Sequence, residues 1–203
     1  MKKITLFLFM LLGALGLHAA DTPSGVVAVG SNASSLEAGK WYCLYNNGTK
    51  RFAMENGSNA LKQTTTTPAG QEASDVLGYF VQLEAATGGK YYIKTALGNY
   101  FKAPSTDARG TGASPASSWA MTIAPISGAD GHFTIAGTTY KLTAPTDGSD
   151  LKGGTSATAN STGDWSFREV TTSSADDLKG KALYNYQMNK LGFMRLHCRR
   201  NMN

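Results

Sequence analysis

The 203-residue chain is 16% charged and 41% hydrophobic, enough apolar material for one core but little surface charge. Its formal net charge of +5 is misleading, because between residues 21 and 180 twelve basic residues face fourteen acidic ones. A near-neutral body excludes the broad basic face that would displace counterions from a nucleic-acid backbone.

Lys2 and Lys3 precede an apolar run from Ile4 to Leu17, followed by His18-Ala19-Ala20. A basic start, a short apolar stretch and small residues at its end predict a secretory signal peptide over 1–20. The run is shorter than the ~20 residues that a membrane span needs. No membrane span is therefore expected in the mature chain, and its expected location is secreted or periplasmic. Residues 21–35 are small and polar and read as a linker. Cys43 and Cys198 are too few for a disulfide framework; Cys43, within Trp-Tyr-Cys-Leu-Tyr, reads as a buried free thiol.

From Leu36 onward, short apolar runs alternate with Gly, Ser, Thr and Asn, the pattern of an all-β sandwich or barrel. Three aromatic-headed segments begin at Tyr79, Trp119 and Trp165. Three earlier strands end at Leu44, Ile93 and Ile135. Each is followed by an apolar pair: Phe52 and Met54, Tyr100 and Phe101, Tyr140 and Leu142. This periodicity predicts three copies of one unit, over 36–87, 88–129 and 130–170. A phrase repeats with it. Residues 56–65 read NGSNALKQTT and residues 147–156 read DGSDLKGGTS, while the second copy has the worn STDARGTGAS at 105–114. Asn-Gly and Asp-Gly suit the left-handed angles of a tight turn, so the phrase predicts a hairpin closing in each copy. Leu61 and Leu151 then return the chain to the core.

Three four-strand units can pool one core around a threefold axis. In this the sequence resembles the β-trefoil family, and within it the ricin-type lectin-like domains, over about 36–170. The threefold spacing and the late aromatics Tyr79, Trp119 and Trp165 carry the resemblance. They stand where that family has the Trp of its Gln-x-Trp motif, although Val76-Leu77, Ser117 and Gly163 replace its Gln. The family's sugar-binding Asp would fall near Ala53, Ala103 and Thr143 or Ala144, none of them acidic. The resemblance implies a β-trefoil with three repeats of about 40–50 residues. Its implied partner is a glycan or polysaccharide, bound without catalysis or cofactor. A structural or protein-binding trefoil without sugar binding is the alternative.

Residues 171–203 read as a linker and the start of a second module. Gly180-Lys181, Tyr186 and Phe193 match Gly39-Lys40, Tyr45 and Phe52 in spacing. The last 23 residues hold Lys181, Lys190, Arg195, Arg199 and Arg200 without an acid, and residues 176–203 are expected to be dispensable for folding.

Enzymatic constellations are sparse. Of the histidines, His18 leaves with the signal peptide, His197 is in the tail, and His132 follows a turn and is expected to be solvated. No zinc-ligand spacing or phosphate-cradling loop occurs. Glu55, Glu84 and Asp107 cannot be paired across a cleft from sequence alone. The four Asn-x-Ser/Thr triplets, at Asn32, Asn47, Asn56 and Asn160, carry no weight in a chain read as bacterial. Binding chemistry is more legible. The repeated turns would carry two ligand sites: Asn56, Asn59 and Lys62 in one, and Asp147, Asp150 and Lys152 in the other, with Tyr140 as a stacking face. Tyr45, Tyr92 and Tyr100 are further aromatic platforms, whereas Trp119 and Trp165 are expected in the core.

Overall fold

The computed structural model describes residues 22–57, 60–106 and 110–173. The expected signal peptide and the tail beyond Ser173 lie outside the described residues.

Strand β1 (Val26–Asn32) precedes three four-strand repeats. The first repeat holds β2 (Trp41–Asn46), β3 (Arg51–Glu55), β4 (Leu61–Thr64) and β5 (Phe80–Ala86). The second holds β6 (Lys90–Thr95), β7 (Tyr100–Phe101), β8 (Thr111–Gly112) and β9 (Thr122–Pro125). The third holds β10 (Phe133–Ala136), β11 (Lys141–Thr143), β12 (Lys152–Gly154) and β13 (Trp165–Ser173).

The registers show the triplication directly. Within each repeat the last strand meets the first: Val81 opposite Tyr42, Met121 opposite Tyr91, Trp165 opposite Phe133. Two residues on, each last strand meets the next repeat's first strand: Leu83 opposite Ile93, Ile123 opposite Ile135, Phe167 opposite Leu44. The third of these pairs returns to the first repeat and closes a six-stranded barrel. Closure leaves no edge among those strands. The inward residues form one core with Leu61, Phe101, Leu142 and Leu151. Fully burying each large apolar side chain stabilises by about 1.5–3 kcal/mol. Trp165 is wholly buried, and its indole N–H donates to the Leu142 carbonyl at 2.8 Å.

The middle strands pair as hairpins, β3–β4, β7–β8 and β11–β12, which meet one another at one end of the barrel. Leu151 N–H donates to the Leu61 carbonyl at 3.0 Å, Ala60 bridges Gly110, and Gly153 N–H donates to the Ser105 carbonyl. A Cβ on Gly153 would lie 2.3 Å from that oxygen, so the approach requires glycine.

Four expectations change. The stretch read as a linker contains β1, which pairs antiparallel with β13 from Val26 opposite Ser173 to Asn32 opposite Arg168. Its partner lies some 140 residues away, so no local pattern displays it. Because β13 runs to Ser173, the strand structure also passes residue 170. The three late aromatics are not equivalent. Tyr79 and Trp119 each end a short 3₁₀ turn, Leu77–Tyr79 and Ser117–Trp119, while Trp165 stands inside β13 at the place of Val81 and Met121. Trp119 is accordingly not in the core but half-buried over Gly112.

Candidate functional site

Both repeated phrases lie between the paired strands of a hairpin, β3–β4 and β11–β12. Gly57 and Gly148 have φ of +76° and +81°, which is why glycine follows Asn56 and Asp147. The Asp147 carboxylate accepts the Ser149 N–H at 2.9 Å. That backbone bond, then the Ser149 hydroxyl, holds its carboxyl below the usual range.

The turns do not stand apart as two sites, however. Lys62 Nζ lies 2.6 Å from Asp150 Oδ1, so each is the other's partner. Gln63 Nε2 donates to the Pro145 and Ser149 carbonyls at 2.8 and 2.7 Å. Arg51 reaches the Thr146 carbonyl at 3.5 Å. The shared phrase thus sits where the first and third hairpins pack together, and sequence spacing alone gave no sign of that meeting. Asn59 lies outside the described residues.

Asp147 and Lys152 line an open groove of about 370 Å³ in the third repeat. Its other walls carry Thr143, Thr146, Thr155, Ser156 and Thr162. Glycines let the chain around it pack closely: a Cβ on Gly154 would lie 2.8 Å from Thr143 Cγ2, and one on Gly163, beside the groove, would lie 2.1 Å from the Ser156 carbonyl oxygen. The groove presents hydroxyls, a carboxylate and an ammonium, and no aromatic ring. Tyr140, expected to stack there, is not among its lining residues. Tyr140 instead closes the β10–β11 turn, where its carbonyl accepts the Gly137 N–H at 2.9 Å.

A second groove of about 270 Å³ lies in the first repeat and overlaps the matching place only in part. Asn56 and Gly57 line it on one side, and Asp75, Leu77 and Tyr79 on the other. Met54 and the exposed Leu97 make it more apolar than its counterpart. The first-repeat groove runs between the middle hairpin's turn and the segment entering β5, and the third-repeat groove lies between that turn and the chain from Lys152 to Ser156. Sequence reasoning missed the groove threonines and serine, because scattered hydroxyls have no spacing signature.

Other polar residues are structural. Glu55 is 2% exposed, and its carboxylate accepts hydroxyl hydrogen bonds from Thr95 and Thr111 at 2.6 Å each and one from Asn99 Nδ2 at 2.7 Å. It staples the first repeat to the second. His132 is not a solvated turn residue. Its Nδ1 lies 2.8 Å from Oδ2 of the wholly buried Asp164. Asp164 also accepts Asn47 Nδ2 at 2.8 Å and the Asn160 N–H, tying repeats one and three. Cys43 is buried and free, and loss of solvation pushes its thiol up to about 12. Among the described residues, no cluster of three or more His, Cys, Asp or Glu could hold a metal. No described helix is long and apolar enough to cross a membrane.

The sequence matches no protein-family model and no curated protein. Solved structures are similar in fold. A designed threefold-symmetric protein, ThreeFoil, is 14% identical with a TM-score of 0.50, over 63% of this chain and 96% of that one. The BEL β-trefoil is 14% identical with a TM-score of 0.54, over 68% and 99%. SeviL, solved bound to asialo-GM1 saccharide, is 13% identical with a TM-score of 0.51, over 63% and 95%. A GlcNAcα1-4Gal releasing endo-β-galactosidase from Clostridium perfringens is 15% identical with a TM-score of 0.53, over 65% of this chain. The match spans only 33% of the enzyme's length. Barrel closure, threefold register and these likenesses together make the chain a β-trefoil.

Proposed function

We propose that this chain is an exported, non-catalytic carbohydrate-binding module, accessory to a larger polysaccharide-acting protein. The observation that carries the reading is the third-repeat groove, where Asp147 and Lys152 flank a wall of threonine and serine hydroxyls. A carboxylate accepts and an ammonium donates, so together they suit the hydroxyl rim of a sugar. The groove is open and shallow, as a polymer passing through requires. SeviL was solved with a saccharide, and the endo-β-galactosidase contains a segment of this fold, which supports both halves of the proposal.

The test is retention on insoluble neutral polysaccharides by the parent and by Asp147→Ala/Lys152→Gln. The double variant should fold and lose retention about tenfold or more, since hydrogen bonds to charged groups contribute ~1.5–3 kcal/mol. Undiminished retention would remove the groove from the proposal.

A second reading, a structural or protein-binding trefoil, is favoured by one observation: Lys62 and Asp150 neutralise each other instead of facing a ligand. Failure of the parent to bind any polysaccharide would select it.

A further inference from the structure

The second repeat lacks the turn phrase, but its outer face carries something the other repeats do not leave open. Cross-strand partners share a face of a sheet. Tyr92 stands opposite Glu84, Lys94 opposite Tyr100, and Tyr100 opposite Gly112. Alternation puts Lys90 with Tyr92 and Lys94, and Lys102 with Tyr100, on that same side. Gly112 has no side chain, and the Trp119 indole fills its place: a Cβ there would lie 2.6 Å from Trp119 Cη2. Tyr92, Tyr100 and Trp119 therefore form one continuous strip on the outside of the barrel. The Tyr92 and Tyr100 rings meet edge to face at 6.3 Å between centroids.

The polar groups of the strip are held in place. The Tyr100 hydroxyl donates to Glu84 Oε2 at 3.0 Å, and Lys94 Nζ lies 3.1 Å from Glu84 Oε1 and 5.5 Å from the Tyr100 ring. Lys102 Nζ stands 5.7 Å from the Trp119 ring and has no carboxylate partner among the described residues. Three lysines thus share the face with one glutamate.

The protein supplies its own comparison. In the first repeat the same positions are Cys43, Tyr45, Phe52 and Tyr79, in equivalent registers. There they form a second apolar core under Val27, Val29 and Val76, and Arg168 stacks on Tyr45 at 3.6 Å. In the third repeat the positions are Thr134, Ala136, Lys141 and Gly163, with no aromatic to cover. Packing explains the aromatics of the first repeat. In the second repeat no described segment covers them, and all three rings are half-buried.

We infer that the outer face of the second repeat is a separate binding platform for an acidic saccharide. The aromatic rings would stack on the apolar faces of its sugar rings, and Lys102, Lys94 and Lys90 would meet its carboxylate or sulfate groups. The excess of positive charge selects an anionic chain, and the rings select a saccharide over a bare anion. The inference rests on the saccharide-binding reading but on different residues, so the two can fail separately.

The experiment is calorimetric binding of the full chain to polygalacturonate, to chondroitin sulfate, and to fully methyl-esterified polygalacturonate as the uncharged control. The parent should bind at least one acidic polymer, more weakly as salt rises, and should bind the ester at least tenfold more weakly. Lys102→Gln, which removes a half-buried lysine's charge without touching the core, should weaken acidic binding about tenfold. Trp119→Ala should do the same, with its thermal midpoint measured alongside. The groove variant Asp147→Ala/Lys152→Gln should keep acidic binding. The platform is overturned if neither acidic polymer binds, if acid and ester bind alike, or if Lys102→Gln binds as the parent does. It is also overturned if the groove variant loses acidic binding. Retention on neutral polysaccharides, intact in any of these cases, would leave the groove proposal standing.

Discussion

The ammonium of Lys62 and the carboxylate of Asp150 form a 2.6 Å ion pair between the first and third repeats, at the point where their two hairpins touch. Both side chains remain partly exposed, 43% and 29%. Such pairs are typically worth ~0.2–1 kcal/mol. Lys62→Gln and Asp150→Asn should each lower the unfolding free energy by no more than about 1 kcal/mol, and the double variant by less than the sum. Urea denaturation of all four proteins closes the cycle. A coupling near zero would mean that the seam is held without the ion pair, by the Leu151–Leu61 backbone bond and the Gln63 and Arg51 contacts.

Glu55 should be far less forgiving. Its three hydrogen bonds come from Thr95, Thr111 and Asn99, all in the second repeat. Glu55→Ala would leave buried hydroxyls and an amide without their acceptor, at about 1–3 kcal/mol each. A loss of at least 3 kcal/mol in chemical denaturation is expected. A loss below 1 kcal/mol would show that other partners replace the carboxylate.

Removing β1 tests the pairing that the sequence did not display. Deletion of residues 22–32 would strip β13 of its antiparallel partner and uncover the apolar cluster around Val27 and Phe52. At about 25 cal/mol per Å² of apolar surface, uncovering the cluster alone is worth several kcal/mol. The thermal midpoint should fall by at least 10 °C. An unchanged midpoint would return this stretch to the status of a linker.

Alkaline pH should weaken the fold. Burial raises the Cys43 thiol from 9.0 to about 12 and holds the Tyr42 and Tyr79 phenols above their usual 10.0. Above pH 9 the unfolded chain ionises these groups first and so binds fewer protons than the folded chain. Stability is therefore fully present below pH 9 and declines as pH rises from 9 towards 12. Cys43→Ala should flatten the first part of that decline in denaturation curves at pH 8, 9 and 10. In the native protein, the thiol should react with an alkylating reagent at pH 8 only as fast as the protein opens.

The sequence displayed the threefold plan because each unit ends an early strand in an apolar residue, Leu44, Ile93 or Ile135, and follows it with an apolar pair. It displayed the hairpin turns because Asn-Gly and Asp-Gly announce a local backbone conformation. It did not display what depends on distant partners. The tie between His132 and Asp164 requires Asn47 and Asn160 to arrive from elsewhere, and a histidine after a turn looks solvated without them. Trp165 was placed with Tyr79 and Trp119 because aromatic identity outweighed a two-residue difference in register. Tyr140 looked like a groove wall because it precedes β11, yet it closes the β10–β11 turn and is not among the groove's lining residues.

Strand β1 begins where β13 ends, with Val26 beside Ser173. Chain entering the domain and chain leaving it therefore pass through one corner. A protein built this way behaves as a bead on a single knot. Spliced into a surface loop of a larger molecule, it would stretch the host chain little.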